Sequence, residues 1–166
     1  AKKAADTLKR CTFELGGHSP AIIAEDANIQ KTIDAVGSFK FKNAGQICIS
    51  PSRFFVHEKI YDEVVDGFVK LANNLKLGNG LNEDTTMGPM ANSRRIDAME
   101  NFINDAQKKG ANIITGGRRH GNVGFFWEPT VIDEIAEDAD LLHTEIFGPI
   151  IPVIKYTDYD EAISKA

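Results

Sequence analysis

The sequence lacks several features that would assign it to a specialised class of protein. Its two cysteines, Cys11 and Cys48, are too few for a disulfide scaffold and suit a reducing cytoplasm. No apolar run approaches the roughly 20 residues that a membrane-spanning helix needs. Basic residues at the N-terminus are not followed by the apolar stretch of a signal peptide. We therefore expect a cytoplasmic protein that contacts no membrane.

Clustered charge and clustered metal ligands are missing as well. The 19 basic and 24 acidic side chains are dispersed and give a formal net charge of −5, which argues against a nucleic-acid partner. The four histidines lie far apart, and neither cysteine has a CxxC partner, so we predict no metal site. No glycine-rich phosphate-binding motif occurs.

What the sequence does contain is typical of one globular domain of 166 residues, with 42% hydrophobic and 26% charged side chains. Short apolar runs alternate with segments whose apolar residues recur at helical spacing. This alternation predicts an open α/β sheet, mainly parallel and flanked by helices. The expected strands are residues 21–24, 53–57, 112–115 and 150–156, with one or two more in 125–135. The expected helices are one that starts at residue 26 and ends near Gly45, followed by 60–75, 93–108 and 160–166.

Three positions are candidates for chemistry, and each has an ordinary alternative. Cys48 follows an expected helix end, which allows a thiol on a turn in a cleft, but its apolar neighbours Ile47 and Ile49 favour a structural thiol when it is taken alone. Glu14 is expected at a strand end that opens onto Gly16 and Gly17, where a solvated glutamate is the alternative. Phe147, fixed by a following Gly-Pro, could face a flat ring or belong to the core.

The order of four motifs along the chain changes that interpretation. They are FELGGHSP at 13–20, NAGQIC at 43–48, MGPMANSRR at 87–95 and EIFGP at 145–149. Together they resemble the NAD(P)-dependent aldehyde dehydrogenase superfamily, and the interval between Glu14 and Cys48 also matches. The resemblance covers essentially the whole chain. It implies that residues 1–166 are a catalytic domain, without the family's cofactor domain or its C-terminal oligomerisation arm.

The resemblance also assigns roles to individual residues. Cys48 matches the catalytic nucleophile and Glu14 the general base, which would suit its task if buried, while Glu145 and Phe147 match contacts to the nicotinamide riboside. The backbone N–H of Cys48 matches one donor to the oxyanion. The implied cofactor is NAD or NADP, the implied partner is a small-molecule aldehyde, and the longer enzyme is expected to be a homo-oligomer.

Two further residues lie near these motifs. Met90 stands where some members have Gln, so no ribose contact is carried over to it. Arg53 could anchor the carboxylate of a semialdehyde, but its place at a strand start favours a structural role.

Two other functions stay open from the sequence. Cys48 could act as a cofactor-free esterase nucleophile, or the chain could be a structural or assembly fragment without activity. We further expect the chain alone to self-associate, because the apolar surface that a partner domain would cover is exposed without it. We also expect the chain alone not to oxidise aldehydes, because that domain would supply most of the cofactor site.

Overall fold

The fold is built on one five-stranded sheet, seen in a computed structural model that describes all 166 residues. The strands are β1 Ser19–Ile23, β2 Pro51–His57, β3 Asn112–Thr115, β4 Thr130–Asp133 and β5 Ile150–Tyr156. They lie in the order β1-β2-β5-β4-β3. β1 pairs with β2, β2 with β5 and β5 with β4 in parallel, and only the edge strand β3 is antiparallel to its neighbour. The predicted mainly parallel α/β sheet is therefore confirmed.

Helices connect and cover the strands. The α-helices are α1 Lys2–Ala5, α2 Ile29–Thr32, α3 Ser38–Phe41, α4 Tyr61–Asn74, α5 Ser93–Lys108, α6 Asp140–His143 and α7 Tyr159–Lys165. A π-helical turn, Ile33–Gly37, joins α2 to α3, and 3₁₀ turns occupy Lys42–Gly45 and Glu58–Ile60.

The two long helices form where the apolar spacing predicts them. α4 buries Val64 and Phe68 on one face, and α5 buries Ile96 and Met99 in the same way. The α5 N-terminus is capped by the Asn92 side chain, which accepts a hydrogen bond from the third residue of the helix. Past its C-terminus, Gly110 adopts φ +93°, a left-handed conformation that glycine provides without strain.

Two expected elements differ from those observed. The segment predicted as a helix from residue 26 begins at Ile29, because Asn28 and not Asp26 supplies the N-cap. The segment 125–135 forms only one short strand, β4. Trp127 makes an isolated bridge with Arg119 instead of extending that strand.

The two faces of the sheet are covered unequally. Alternate residues of β2 point to opposite faces, so Phe54 joins a core cluster of 27 buried residues while Phe55 joins a cluster of only three, with Tyr156 and Ala162. The larger cluster contains the apolar faces of α4 and α5, and the smaller one lies under α7. The main core therefore lies on the α4 and α5 side.

Sheet order also fixes which loops meet. β1, β2 and β5 are adjacent and parallel, so the segments that precede them emerge at the same edge of the sheet. Those segments are residues 9–18, 46–50 and 144–149, each of which overlaps one of the four sequence motifs. Topology thus brings together residues that are remote in sequence.

Candidate functional site

An open cleft of about 640 Å³ lies at this edge of the sheet. The four residues singled out from the sequence, Glu14, Cys48, Glu145 and Phe147, all line it. The other lining residues are Leu15, Gly16, Gln46, Ile47 and Arg95. The cleft lies at the amino ends of the parallel strands. Glu14 was expected at the carboxyl end of a strand, but it lies before the amino end of β1.

The loop before Cys48 is held by an unusual run of backbone conformations. Asn43 and Ala44 have φ +50° and +52°, and Gly45 follows with φ +73°. A Cβ atom on Gly45 would lie 2.2 Å from the carbonyl oxygen of Gly148, so a side chain there has no room. Non-glycine residues in this region carry strain of order 1–3 kcal/mol and persist only where the surroundings enforce it.

Gln46 links this loop to the segment before α5. Its side-chain amide donates to the Asn43 carbonyl at 2.9 Å, and its side-chain oxygen accepts from the Ala91 N–H at 2.8 Å. Asn43 returns a bond from its side-chain amide to the Gln46 carbonyl at 3.0 Å. The Cys48 loop is therefore fixed by contacts within this chain.

Cys48 itself lies on a turn directly before β2. The turn is closed by the Ser50 N–H, which donates to the Ile47 carbonyl at 2.9 Å. The thiol is solvent-exposed, and the Cys48 backbone N–H donates to no acceptor in the protein. Cys11, the other free thiol, is also exposed but does not line the cleft.

Glu14 lies in a segment, residues 9–18, that has no helix and enters β1 only at its end. The expected strand before Gly16 is absent, and the Glu14 side chain is exposed and not buried as its proposed task would favour. Close contacts still anchor the segment. A Cβ on Gly16 would lie 2.5 Å from Glu145 Oε2, and one on Gly17 would lie 2.9 Å from the Cys48 carbonyl oxygen.

The segment that contains Glu145 and Phe147 forms the opposite wall. Phe147 has φ +46°, a left-handed conformation that is rare for a bulky residue. A Cβ on Gly148 would lie 2.2 Å from Met99 Sδ, so this segment packs directly on α5. Both side chains, Glu145 and Phe147, are half-buried.

Two cations that were not predicted lie near enough to Glu145 for its charge to act on them. Arg95 lines the cleft, and burial holds its pKa below the usual value while Glu145 opposes that shift. Lys40 is 1% exposed, and burial lowers its pKa to about 7, again opposed by Glu145. Arg95 belongs to the MGPMANSRR motif, which could have drawn attention to it. Lys40 lies in a mainly apolar helix, and no sequence signal marks it.

The structure places Arg53 and His18 outside the cleft. The Arg53 guanidinium donates to the backbone carbonyls of His18 at 2.8 Å and Lys165 at 3.0 Å, in agreement with the structural role favoured for it. His18 makes hydrogen bonds through both ring nitrogens, with Ser52 and the Leu142 carbonyl. Burial, followed by the charge of Arg53, lowers the His18 pKa. Met90 is buried in the core.

The structure contains neither a candidate membrane-spanning helix nor a cluster of candidate metal ligands. None of the helices combines the length and the apolar character needed to cross a bilayer. Nowhere do three or more His, Cys, Asp or Glu side chains come together in a way that could hold a metal ion.

Comparison with known proteins decides the family. The sequence profile of the Aldehyde dehydrogenase family matches residues 1–166. The chain belongs to the aldehyde dehydrogenase family. The resemblance seen in its motifs is thereby confirmed.

Individual aldehyde dehydrogenases and related structures agree with this assignment. The mitochondrial succinate-semialdehyde dehydrogenase of Oryza sativa subsp. japonica is 41% identical, and the match covers 98% of this chain and 31% of that protein. The crystal structure of an E. coli NADP-dependent enzyme matches with a TM-score of 0.95 and 32% identity, over 99% of this chain and 34% of that one.

A third match is the NAD+ complex of a Bacillus cereus aldehyde dehydrogenase. It has a TM-score of 0.89 and 40% identity, over 99% of this chain and 33% of that one. The chain thus spans about a third of the length of the proteins it matches.

Proposed function

We propose that this chain is the catalytic portion of an NAD(P)-dependent aldehyde dehydrogenase, which oxidises an aldehyde to a carboxylic acid through Cys48. The observation that carries the proposal is the shared cleft. An exposed thiol, an exposed carboxylate, and a second carboxylate beside an aromatic ring line one open cavity. These are the groups that thiol-mediated aldehyde oxidation needs, and family membership supports their roles.

The first step forms a carbon–sulfur bond. The Cys48 thiolate adds to the aldehyde carbon, and the electron pair of the carbonyl π bond moves to oxygen, which leaves a tetrahedral oxyanion. The Cys48 backbone N–H supports this step because it has no acceptor within the protein and is free to donate to that oxygen. A thiol on an exposed turn is also open to substrate.

Collapse of the oxyanion expels hydride and leaves a thioester on Cys48. A nicotinamide ring bound in the cleft would accept that hydride. Water then cleaves the carbon–sulfur bond of the thioester, and Glu14 removes the proton from the attacking water. The carboxylic acid leaves and the thiolate is regenerated. Placement of Glu14 in the same cleft as Cys48 supports this assignment.

The wall formed by Glu145 and Phe147 fits the nicotinamide end of a dinucleotide. A half-buried carboxylate is a good acceptor for ribose hydroxyl groups, and a flat ring offers apolar contact. The glycine at position 16 leaves the Glu145 carboxylate uncovered, because a Cβ there would meet its oxygen. Both NAD and NADP are compatible with the proposal, since each is named for a matched structure.

The proposed substrate class is a semialdehyde, a short aldehyde that carries a carboxylate. The succinate-semialdehyde dehydrogenase of Oryza sativa subsp. japonica supports it, at 41% identity over nearly the whole chain. We also propose that a cofactor domain and an oligomerisation arm lie elsewhere in a longer protein, and that this protein is a homo-oligomer. The share of its relatives that the chain spans agrees with such a division.

The proposal is tested in the full-length protein with three variants, Cys48→Ala, Glu14→Gln and the matched control Cys11→Ala. Production of NADH or NADPH from succinate semialdehyde is measured, and so is acylation by an activated ester. We expect Cys48→Ala to abolish both activities. Glu14→Gln should keep acylation but slow deacylation by about 10²-fold or more. Cys11→Ala should match the wild type.

Other outcomes would assign a different function. Ester turnover at Cys48 without any aldehyde oxidation would indicate a cofactor-free esterase. Loss of neither activity in Cys48→Ala would show that Cys48 is not the nucleophile. A wild-type protein inactive in both assays would favour a structural role.

A further inference from the structure

Arg95 contacts the 145–148 segment in several ways at once. Its Nη2 donates to the carbonyl oxygens of Ile146 and Phe147, the latter at 3.3 Å. Its guanidinium carbon lies 5.9 Å from the centre of the Phe147 ring, within the range of a cation–π interaction. Glu145 lines the same cleft, and its negative charge favours the charged form of Arg95. One side chain therefore binds two consecutive residues of the cleft wall, Ile146 and Phe147.

These contacts fall where the backbone most needs support. Phe147 is held at φ +46°, and the two carbonyls that Arg95 binds lie on either side of that residue's Cα. A strained conformation persists only when its neighbours enforce it. Without Arg95, the carbonyls of Ile146 and Phe147 lose their hydrogen bonds to Nη2, and the backbone at Phe147 is free to relax. Such a relaxation would turn the Phe147 ring away from its present direction.

The local environment of Arg95 in its own helix does not favour an arginine. It lies in the first turn of α5, where a positive charge opposes the helix dipole. Its Nε is buried and has no hydrogen-bond partner. Both features disfavour arginine on local grounds. A residue that breaks local rules in this way is expected at a functional site.

The first turn of α5, which carries Arg95, is held in place by two contacts. Asn92 caps the helix by accepting from the Arg95 N–H, and Met99, one turn further along the same face, packs against Gly148. The guanidinium is therefore presented to the cleft wall from a fixed position.

We propose that Arg95 is a positioning residue, which holds the backbone and the ring of Phe147, and with them the cleft wall that contains Glu145, in the arrangement that binds the nicotinamide riboside of the dinucleotide. The proposal rests on the proposed function for the identity of the ligand. Lys40, on α3, is the other cation that acts on Glu145, but it is buried and lies outside the lining of the cleft. Arg95 is thus the cation that joins the cleft wall to α5.

The test uses the full-length protein and three variants. Arg95→Met removes the charge and the donors, Arg95→Lys keeps the charge, and Arg94→Met is the matched control because Arg94 is exposed and adjacent. The dissociation constants of NAD+ and NADP+ are measured by titration calorimetry. The rate of Cys48 acylation by an activated ester is measured without dinucleotide, because a general structural defect would lower that rate too.

We expect Arg95→Met to weaken binding of the preferred dinucleotide about tenfold, equivalent to about 1.4 kcal/mol, and by more than any change in acylation. Arg95→Lys should recover part of this loss, because its charge still acts on the Phe147 ring and on Glu145. Arg94→Met should bind dinucleotide like the wild type.

Three results would overturn the proposal: unchanged dinucleotide affinity in Arg95→Met, an equal loss of acylation, or no recovery in Arg95→Lys. Failure of the proposed function looks different. A Cys48→Ala protein that still oxidised aldehydes would refute the role of Cys48, while the loss of affinity in Arg95→Met would stand, since binding is measured without turnover.

Discussion

The two segments that carry the proposed nucleophile and the proposed base are built in different ways. The loop before Cys48 is fixed by backbone packing of Gly45 on Gly148 and by the hydrogen bonds of Gln46. The segment with Glu14 has no regular structure, and its neighbours are mostly exposed, with Leu15 at 72%. The proposed nucleophile is held firmly by contacts within this chain, whereas the proposed base is held at only a few points.

The difference matches the tasks proposed for the two residues. A nucleophile must meet the aldehyde carbon and the oxyanion donor in one fixed geometry. A base that acts on water after hydride transfer must leave room for the nicotinamide first. Gly16 and Gly17 provide a flexible connection between Glu14 and β1 that allows such movement.

The largest expected effect comes from adding a methyl group at Gly45, in the loop before Cys48. The same change at Gly16, in the segment with Glu14, provides the comparison. Gly45→Ala forces a Cβ into the Gly148 backbone at φ +73° and should lower the free energy of unfolding by about 3–5 kcal/mol. Gly16→Ala meets only the movable Glu145 carboxylate and should cost less than about 1 kcal/mol. Urea denaturation of this chain measures both values.

Two glycines serve as controls for that experiment. Gly80 has open space around it and no left-handed φ, so Gly80→Ala should leave stability unchanged. Gly121 has open space but φ +65°, so Gly121→Ala isolates the backbone strain. Equal losses in Gly45→Ala and Gly121→Ala would show that the packing on Gly148 adds nothing.

A smaller effect is expected from Lys40 beneath the cleft. The folded chain releases the Lys40 proton near pH 7, whereas the unfolded chain keeps it up to about pH 10.5. Because the unfolded state binds more protons between these values, stability should rise with pH, by about 2 kcal/mol from pH 7 to pH 9. Lys40→Met should remove this rise, as followed by thermal unfolding at several pH values. A rise that persists in the variant would assign it to another group.

A substitution at Gln46 is a milder test of how firmly the loop before Cys48 is held. Gln46→Ala removes the bonds to Asn43 and Ala91 and should cost about 1–2 kcal/mol of stability. Acylation of Cys48 by an activated ester should slow as well, because the loop loses its link to the segment before α5. Loss of stability with an unchanged acylation rate would mean that the loop keeps its shape without Gln46.

The smallest effect concerns the two thiols. Because Cys11 and Cys48 are both exposed, iodoacetamide should label both, and we expect peptide mapping to find any preference for Cys48 to be less than about tenfold. Protection of Cys48 by added NAD+ in the full-length protein, with no protection of Cys11, would support the proposal that the cleft around Cys48 binds the dinucleotide. Equal protection of both would contradict it.

How much could be predicted differs between the sheet and the site. β3 and β5 have the bounds that their apolar runs predict, and α4 and α5 follow the spacing of their apolar residues. The segment before Gly16 was wrongly expected to be a strand. Its apolar residues Phe13 and Leu15 alternate with polar ones, but no neighbouring strand pairs with them. An alternating pattern shows that a segment can form a strand, but the strand forms only where a neighbouring strand is available to pair with it.

The sequence by itself determined most of the helices and strands, the sheet class and, through its ordered motifs, the candidate residues Glu14, Cys48, Glu145 and Phe147. Those signals are local, since spacing, capping and turn residues act within a few positions. The tertiary structure alone decided which strands are neighbours and therefore which loops share a cleft. It also revealed Arg95 and Lys40, because burial and facing charges depend on residues that are distant in the chain. Long-range contacts of this kind leave no periodic trace in a single sequence.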